Sequence, residues 1–329
     1  MANAEDSRRN DSRWLDAAAR LAERGRPLSR PNPTVGAILV RGEKVVGRGW
    51  TRAGGRPHAE AVTLAKAGDL ARGATLYVSL EPCAHQSARG PACADLVAAA
   101  GLARVVVGCT DPDPRTAGQG IARMRSSGTQ VDVLESEACE HSLAGYLCRR
   151  RLGRPHVTLK LALSLDGCIA LTNGQSQWLT GEHARAHVHA ERARADAILV
   201  GGGTLRADAP RLDVRLAGLE DRSPARWALT GRTVPEGWQV LPSPQAIASM
   251  ADVQYLFVEG GAQAAAAFLA ADLVDRLLIY RAPVIVGGGL SGVADLGLAR
   301  LADAQERWRQ VDQRRLGNDG LEVYQRFRS

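Results

Sequence analysis

The stretches PHAEAVTLAKAG (57–68) and TLYVSLEPCAHQSARGPAC (75–93) decide how this chain is read. In the first, His58 opens a helical stretch that runs to about Lys66. In the second, the apolar run from Thr75 to Leu80 predicts a strand that delivers Glu81-Pro82-Cys83 at its carboxyl end. Asp95 to Ala100 is alanine-rich and reads as a helix, with Pro91 before or inside its first turn. Cys93 therefore falls near a helix start, where unpaired N–H groups favour a thiolate. Two helix starts thus face one strand end.

His58, Cys83 and Cys93 offer one nitrogen and two thiolates, a donor set that suits Zn²⁺ and leaves a fourth tetrahedral position for water. Zinc acidifies that water enough to make a nucleophile near neutral pH. Glu60 is not a ligand in this reading: two residues past the histidine, it is placed to carry the water proton to a leaving nitrogen. The pattern resembles the zinc-dependent nucleobase deaminases, whose signature is H-x-E followed by P-C and a further cysteine. The competing reading is structural, with both cysteines as small buried apolar residues and His58 as a core histidine.

At 329 residues the chain has length for two domains, and 45% apolar content is that of a globular protein. No uncharged apolar run reaches the roughly 18 residues of a membrane span, and no secretory apolar segment follows the start. The six cysteines show no disulfide-scaffold spacing. We therefore expect a cytoplasmic protein that does not engage membranes. The net charge of +7 comes from scattered arginine. Only Arg149-Arg150-Arg151 clusters, without interleaved aromatics for base stacking, so it reads as a solvated face and nucleic acid is not expected as a partner. The basic balance suits phosphorylated small molecules and dinucleotides instead.

Ala2 to Ser12 is polar and reads as a frayed tail, with Asp11 or Ser12 capping a helix that carries Trp14, Leu15, Ala18, Leu21 and Ala22. Val35–Val40 and Lys44–Gly49 read as a hairpin around Gly42, and Arg104–Gly108 as a further strand. Alternating strands and short helices imply an α/β/α sandwich. The text changes around Arg149 to Pro155, which places a boundary between domains 1–152 and 153–329. Beyond it, His156–Leu163, Ala197–Val200 and Tyr255–Val258 read as strands. They run into Ser164-Leu165-Asp166-Gly167, Gly201-Gly202-Gly203-Thr204 and Glu259-Gly260-Gly261. Gly-rich turns at strand ends let backbone approach a phosphate. The dinucleotide fingerprint G-x-G-x-x-G is absent. The alanine-rich run Ala262–Ala271 reads as a packed helix.

With both halves read, the chain resembles the bifunctional deaminase–reductase family of riboflavin biosynthesis over nearly its full length. The matching text is RPNPTVGAILV (30–40), PHAEAVTLAKAG (57–68), TLYVSLEPCAH (75–85) and DPDP (111–114) in the first half. In the second it is KLALSLDGCIA (160–170), SQWLTG (176–181), GGGTLRADAPRLDVR (201–215), VEGG (258–261) and APVIVGGG (282–289). The resemblance implies an α/β protein, a cytidine-deaminase-like sandwich followed by a dihydrofolate-reductase-like domain, with Zn²⁺ and NADPH as cofactors. It implies His58, Cys83 and Cys93 as zinc ligands, Glu60 as proton shuttle, and Asn32, His85 and Arg89 around the pyrimidine. Ala162, Trp178, Thr204, Asp208 and the segment Gly261, Ala262, Gln263, Ala264, Ala265, Ala266, Ala267 would bind NADPH. Ser176, Leu212, Arg215 and Glu259 would face the substrate, a phosphorylated pyrimidine, in a homodimer formed through the second domain.

Some text departs from the family's usual pattern. The loop between the zinc cysteines is one residue longer, with Gln86-Ser87-Ala88 in it. Asp208-Ala209-Pro210 replaces Asp-Asp-Pro, the stretch 216–258 is short, and Thr230-Gly231 stands where an acidic residue and a serine are usual. These departures keep open two alternatives: a specialised paralogue with an altered reductase domain, and a nucleic-acid base deaminase. Against the latter stand the long cysteine spacing and the second domain.

Overall fold

The computed structural model describes residues 2–86 and 89–328, and the chain divides into two compact units, 1–153 and 154–329. No helix among the described residues is long and apolar enough to cross a membrane.

The first unit runs α1 (Ala2–Ala22), β1 (Gly36–Arg41), β2 (Lys44–Trp50), α2 (Ala59–Ala67), β3 (Thr75–Val78), α3 (Cys93–Ala99), β4 (Arg104–Val107), α4 (Gln119–Ser126), β5 (Gln130–Val133), α5 (Glu137–Ser142) and α6 (Ala144–Leu152). Its sheet has the order β2-β1-β3-β4-β5. β1 is antiparallel to both neighbours, while β3, β4 and β5 are parallel. β1 is buried at every position but its last, as expected of a strand covered on both faces. Two close approaches demand glycine: a Cβ on Gly36 would lie 2.0 Å from the Ala18 carbonyl of α1, and one on Gly47 2.6 Å from the Thr63 carbonyl of α2.

The frayed tail expected at Ala2–Ser12 is instead the first half of α1, and Asp11 lies within the helix rather than capping it. Its buried carboxylate accepts from Tyr77 Oη at 2.9 Å and from two Arg104 nitrogens at 2.8 and 2.9 Å. The partners come from β3 and β4, so a local reading of the polar segment had no access to them. Glu81 likewise ties the loop after β4 to the end of β3. It accepts backbone N–H groups of Asp111, Gly118, Gly120 and Ile121 at 3.0–3.3 Å.

The second unit runs β6 (His156–Leu163), β7 (Cys168–Ala170), α7 (Glu182–Arg192), β8 (Ala197–Gly201), α8 (Gly202–Asp208), β9 (Ala225–Leu229), β10 (Trp238–Leu241), β11 (Tyr255–Val258), α9 (Ala262–Ala270), β12 (Arg276–Arg281), β13 (Leu290–Ser291), β14 (Trp308–Leu316) and β15 (Asp319–Arg326). Its main sheet has the order β10-β9-β8-β11-β6-β12-β15-β14. It is parallel from β10 to β12 and antiparallel in the terminal hairpin. The carboxyl ends of β6, β8 and β11 therefore open on one edge, where ligands bind in open α/β sheets.

Asp275 anchors the start of this unit, pairing with Arg154 at 2.8 Å and Arg328 at 2.6 Å. Burial alone would raise its pKa, but Arg154 and the other positive neighbours outweigh it and hold the carboxyl at about 2, against 3.8 ordinarily. A depressed carboxylate stabilises the fold above its unfolded pKa and loses that contribution as pH falls through its folded one. Asp275→Asn should cost about 3 kcal/mol at neutral pH by leaving Arg154 without its buried partner. The gap from wild type should close as pH falls from about 4 toward 2. Denaturant unfolding of both proteins across that window checks it, and a gap independent of pH would refute the assignment.

Candidate functional site

In the first unit, β3 and two helix starts converge as the sequence spacing predicts. His58 is the N-cap of α2 in extended backbone, Cys83 follows the end of β3, and Cys93 is the first residue of α3. The ligand atoms of these three residues lie within 4.8 Å of one another. His58 Nδ1 is 3.3 Å from Cys93 Sγ and 3.6 Å from Cys83 Sγ. Ligands about 2.2 Å from one tetrahedral metal stand roughly 3.6 Å apart, so the three groups fit zinc without rearrangement. The backbone reinforces the cluster: Cys93 N–H donates to Cys83 Sγ at 3.3 Å, and Ala94 N–H to the Cys83 carbonyl at 3.1 Å.

The electrostatics match a metal site. A hydrogen bond from Cys93, with another from His58, draws the Cys83 thiol down to about 4 despite its burial. Burial would lower the pKa of His58, yet the bond to Cys83 and the charge of Glu60 raise it. Glu60 is 3% exposed, burial raises its pKa, and its Oε2 has no hydrogen-bond partner among the described residues. Asn32 Nδ2 is 3.0 Å from both His58 Nε2 and the Gly55 carbonyl, so it lies against the side of the imidazole away from the cysteines.

A pocket of about 100 Å³ opens onto this centre, lined by Asn32, His58, Glu60, Cys83 and His85, with Asp113, Arg115 and Arg150 also on its wall. The structure thus brings Asn32 and His85 beside the ligands. Arg89 lines an adjoining recess with Arg56, His58 and Cys93, and donates to the Gly54 carbonyl. Of the longer loop noted in the sequence, Ser87 and Ala88 lie outside the described residues.

In the second unit a cleft of about 760 Å³ collects most of the residues implied there. Ala162, Trp178, Thr204 and Asp208 line it together with Gly261, Ala262 and Gln263. Ser176, Arg215 and Glu259 line it too. Ala264, Ala265 and Ala266 are buried in the body of α9, and Ala267 also lies outside the lining described for the cleft. Leu212 is buried in the core with a left-handed backbone, φ 54°. Glu259 forms a two-pronged ion pair with Arg192, Oε1–Nε 2.6 Å and Oε2–Nη2 3.0 Å. Burial would raise its pKa, but Arg192 more than compensates and keeps it ionised.

Lys160 and Arg192 also line this cleft, and the sequence reading passed over both. Lys160 carried a signal. β6 alternates half-buried and buried positions, so Lys160 shares a face with Ala162. Arg192, at the end of α7, carried none.

Two family models match the chain: "Cytidine and deoxycytidylate deaminase zinc-binding region" over residues 8–109, and "RibD C-terminal domain" over residues 155–321. The riboflavin biosynthesis protein RibD of Escherichia coli is 37% identical, covering 90% of this chain and 94% of the relative. That of Aquifex aeolicus is 34% identical, covering 96% and 99%. Among solved structures, RibD of Acinetobacter baumannii superposes with TM-score 0.83 at 32% identity, over 98% of this chain and 100% of the other. The Thermotoga maritima deaminase/reductase superposes with TM-score 0.86 at 28% identity, with the same coverage.

Proposed function

Since the chain belongs to the RibD family and is a bifunctional deaminase and reductase of riboflavin biosynthesis with a zinc-binding site at His58, Cys83 and Cys93, we propose which of its residues carry each step. The family membership sets aside the specialised-paralogue and base-editing alternatives. The substrate of the first step is a diaminopyrimidinone ribosyl 5′-phosphate, and the reductant of the second is NADPH.

His58, Cys83 and Cys93 would hold zinc, which would supply Lewis-acid activation of water near neutral pH. Everything else falls to the protein. The pocket admits a ring-sized group and has Asn32 on its wall beside His58. Glu60, buried and with one oxygen unpartnered, takes a proton from water and passes it to the departing amino nitrogen. Water enters, ammonia leaves, and the ring carbon becomes a carbonyl. The free Glu60 oxygen beside three convergent ligands is the observation that carries this reading. An assay that separates ammonia release from NADPH oxidation on the pyrimidine phosphate tests it.

In the second step NADPH would supply hydride to C1′ of the ribosyl group, and the ring oxygen would take a proton as the sugar opens to a ribityl chain. Glu259, fixed by Arg192, and Lys160 beside it supply charge on the cleft floor, where Ser176 and Arg215 also face the substrate. Gly261, the N-cap of α9, would hold the cofactor's pyrophosphate, because free N–H groups at a helix start favour anions. We also read the protein as a homodimer through its second unit, which sedimentation would test.

Gly261→Asp isolates the cofactor site. Its φ is −72°, and an added Cβ meets only Thr204 Oγ1 at 3.4 Å, so the side chain fits. Aspartate is also a favoured N-cap, which protects the fold. The negative charge should nonetheless repel the pyrophosphate and weaken NADPH binding by about tenfold or more. The rise in melting temperature that NADPH gives the wild type should shrink accordingly, with ammonia release unchanged. An undiminished shift would place the pyrophosphate elsewhere.

A further inference from the structure

The run Arg149-Arg150-Arg151, read from sequence as a solvated face, does not act as a unit. Arg149 donates to the Gly153 carbonyl at 2.9 Å at the end of α6. Arg151 pairs on the surface with Glu140 at 3.3 Å. Arg150 alone turns into the pocket that holds His58 and Glu60.

Its setting there is built. Arg150 Nη2 is 3.0 Å from Asp113 Oδ2, and the Asp113 side chain is only 4% exposed. The same carboxylate takes Arg115 at 2.6 Å. Two guanidinium groups thus share one carboxylate, so neither is matched one to one. Asp111 lines the same pocket. Burial raises its pKa, and its Oδ1 already accepts from Tyr146 Oη at 2.7 Å and from Asp113 N–H at 2.9 Å. The Arg150 guanidinium lies over the Tyr146 ring, 5.5 Å from its centroid, which limits its freedom. Yet 42% of the Arg150 side chain and 60% of the Arg115 side chain remain exposed.

We propose that Arg150, with Arg115 beside it, receives the 5′-phosphate of the deamination substrate and so selects the phosphorylated pyrimidine over its nucleoside. The proposal rests on the ribosyl-phosphate reading above. The ring has to meet His58 and Glu60, and Arg150 and Arg115 line the same pocket, where the ribosyl phosphate would follow the ring. A guanidinium fork suits a phosphate there. The other arginine pair near the centre, Arg56 and Arg89, lines a recess shared with His58 and Cys93 but not with Glu60. Both donate to backbone carbonyls, of Pro91 and Gly54 respectively.

The test is ammonia release without NADPH by wild type, Arg150→Gln and Arg150→Lys. In Arg150→Gln the KM for the phosphorylated substrate should rise about tenfold or more, as for loss of one charge-assisted hydrogen bond, while kcat stays within about threefold. Arg150→Lys should recover part of the loss. Ribose 5-phosphate should inhibit the wild type competitively and should weaken by a similar factor in Arg150→Gln. A fall in kcat at unchanged KM, or equal inhibition of both proteins, would reduce Arg150 to a prop for the Asp113 loop and overturn the proposal. If Arg150→Gln does not fold, Arg150→Lys and wild-type inhibition decide alone: no inhibition by ribose 5-phosphate refutes the site. A wild type that releases no ammonia from the ribosyl phosphate would instead remove the deaminase reading itself.

Discussion

Glu60→Gln is expected to abolish ammonia release, by about 10³-fold or more, while zinc content and fold stay intact. The amide matches the carboxyl in shape, so α2 and its buried first turn are undisturbed. It also removes a buried ionisable group whose charged form burial disfavours, so the variant should be at least as stable as the wild type. What it cannot do is accept a proton from water and release it to nitrogen. NADPH oxidation with the already deaminated intermediate should continue at the wild-type rate. Residual deamination within about tenfold of wild type would mean that another group moves the proton.

Cys83→Ser is expected to remove the metal and, with it, all deamination. The Cys83 sulfur holds two relationships at once: it lies 3.6 Å from His58 Nδ1 and accepts the Cys93 N–H at 3.3 Å. A serine hydroxyl is smaller, far less acidic and a poor zinc donor. Elemental analysis of the purified variant should find zinc well below one per chain. Losing a structural clasp between β3 and α3 should also lower the melting temperature, because metal binding to the native state stabilises it by linkage. Full zinc occupancy in the variant would show that the three-residue cluster is not the binding site.

How much was legible beforehand differs between the units. In the first, local text sufficed, because β3, α2 and α3 follow one another closely and each ligand sits at the junction of a periodic segment and a turn. Glu60 was legible for the same reason, two residues into a helix that His58 begins. In the second unit the cleft assembles from β6, β7, α7, α8, the end of β11, α9 and β13, spread over residues 160–294. Only the Gly-rich strand ends marked it, and the resemblance supplied the individual residues.

The sequence by itself determined the donor set, the acid placed beside it and the order of the two α/β units, because ligand chemistry and short-range periodicity are properties of neighbouring residues. Tertiary structure alone decided which charges serve which site. Asp11 became a buried partner of Arg104 and Tyr77 instead of a cap. Arg192 pinned Glu259 from the end of α7, and one arginine of three turned toward the deaminase pocket. Each outcome depends on a partner far away in the chain. A charge finds its partner through space, and no local pattern encodes a distance that only folding creates.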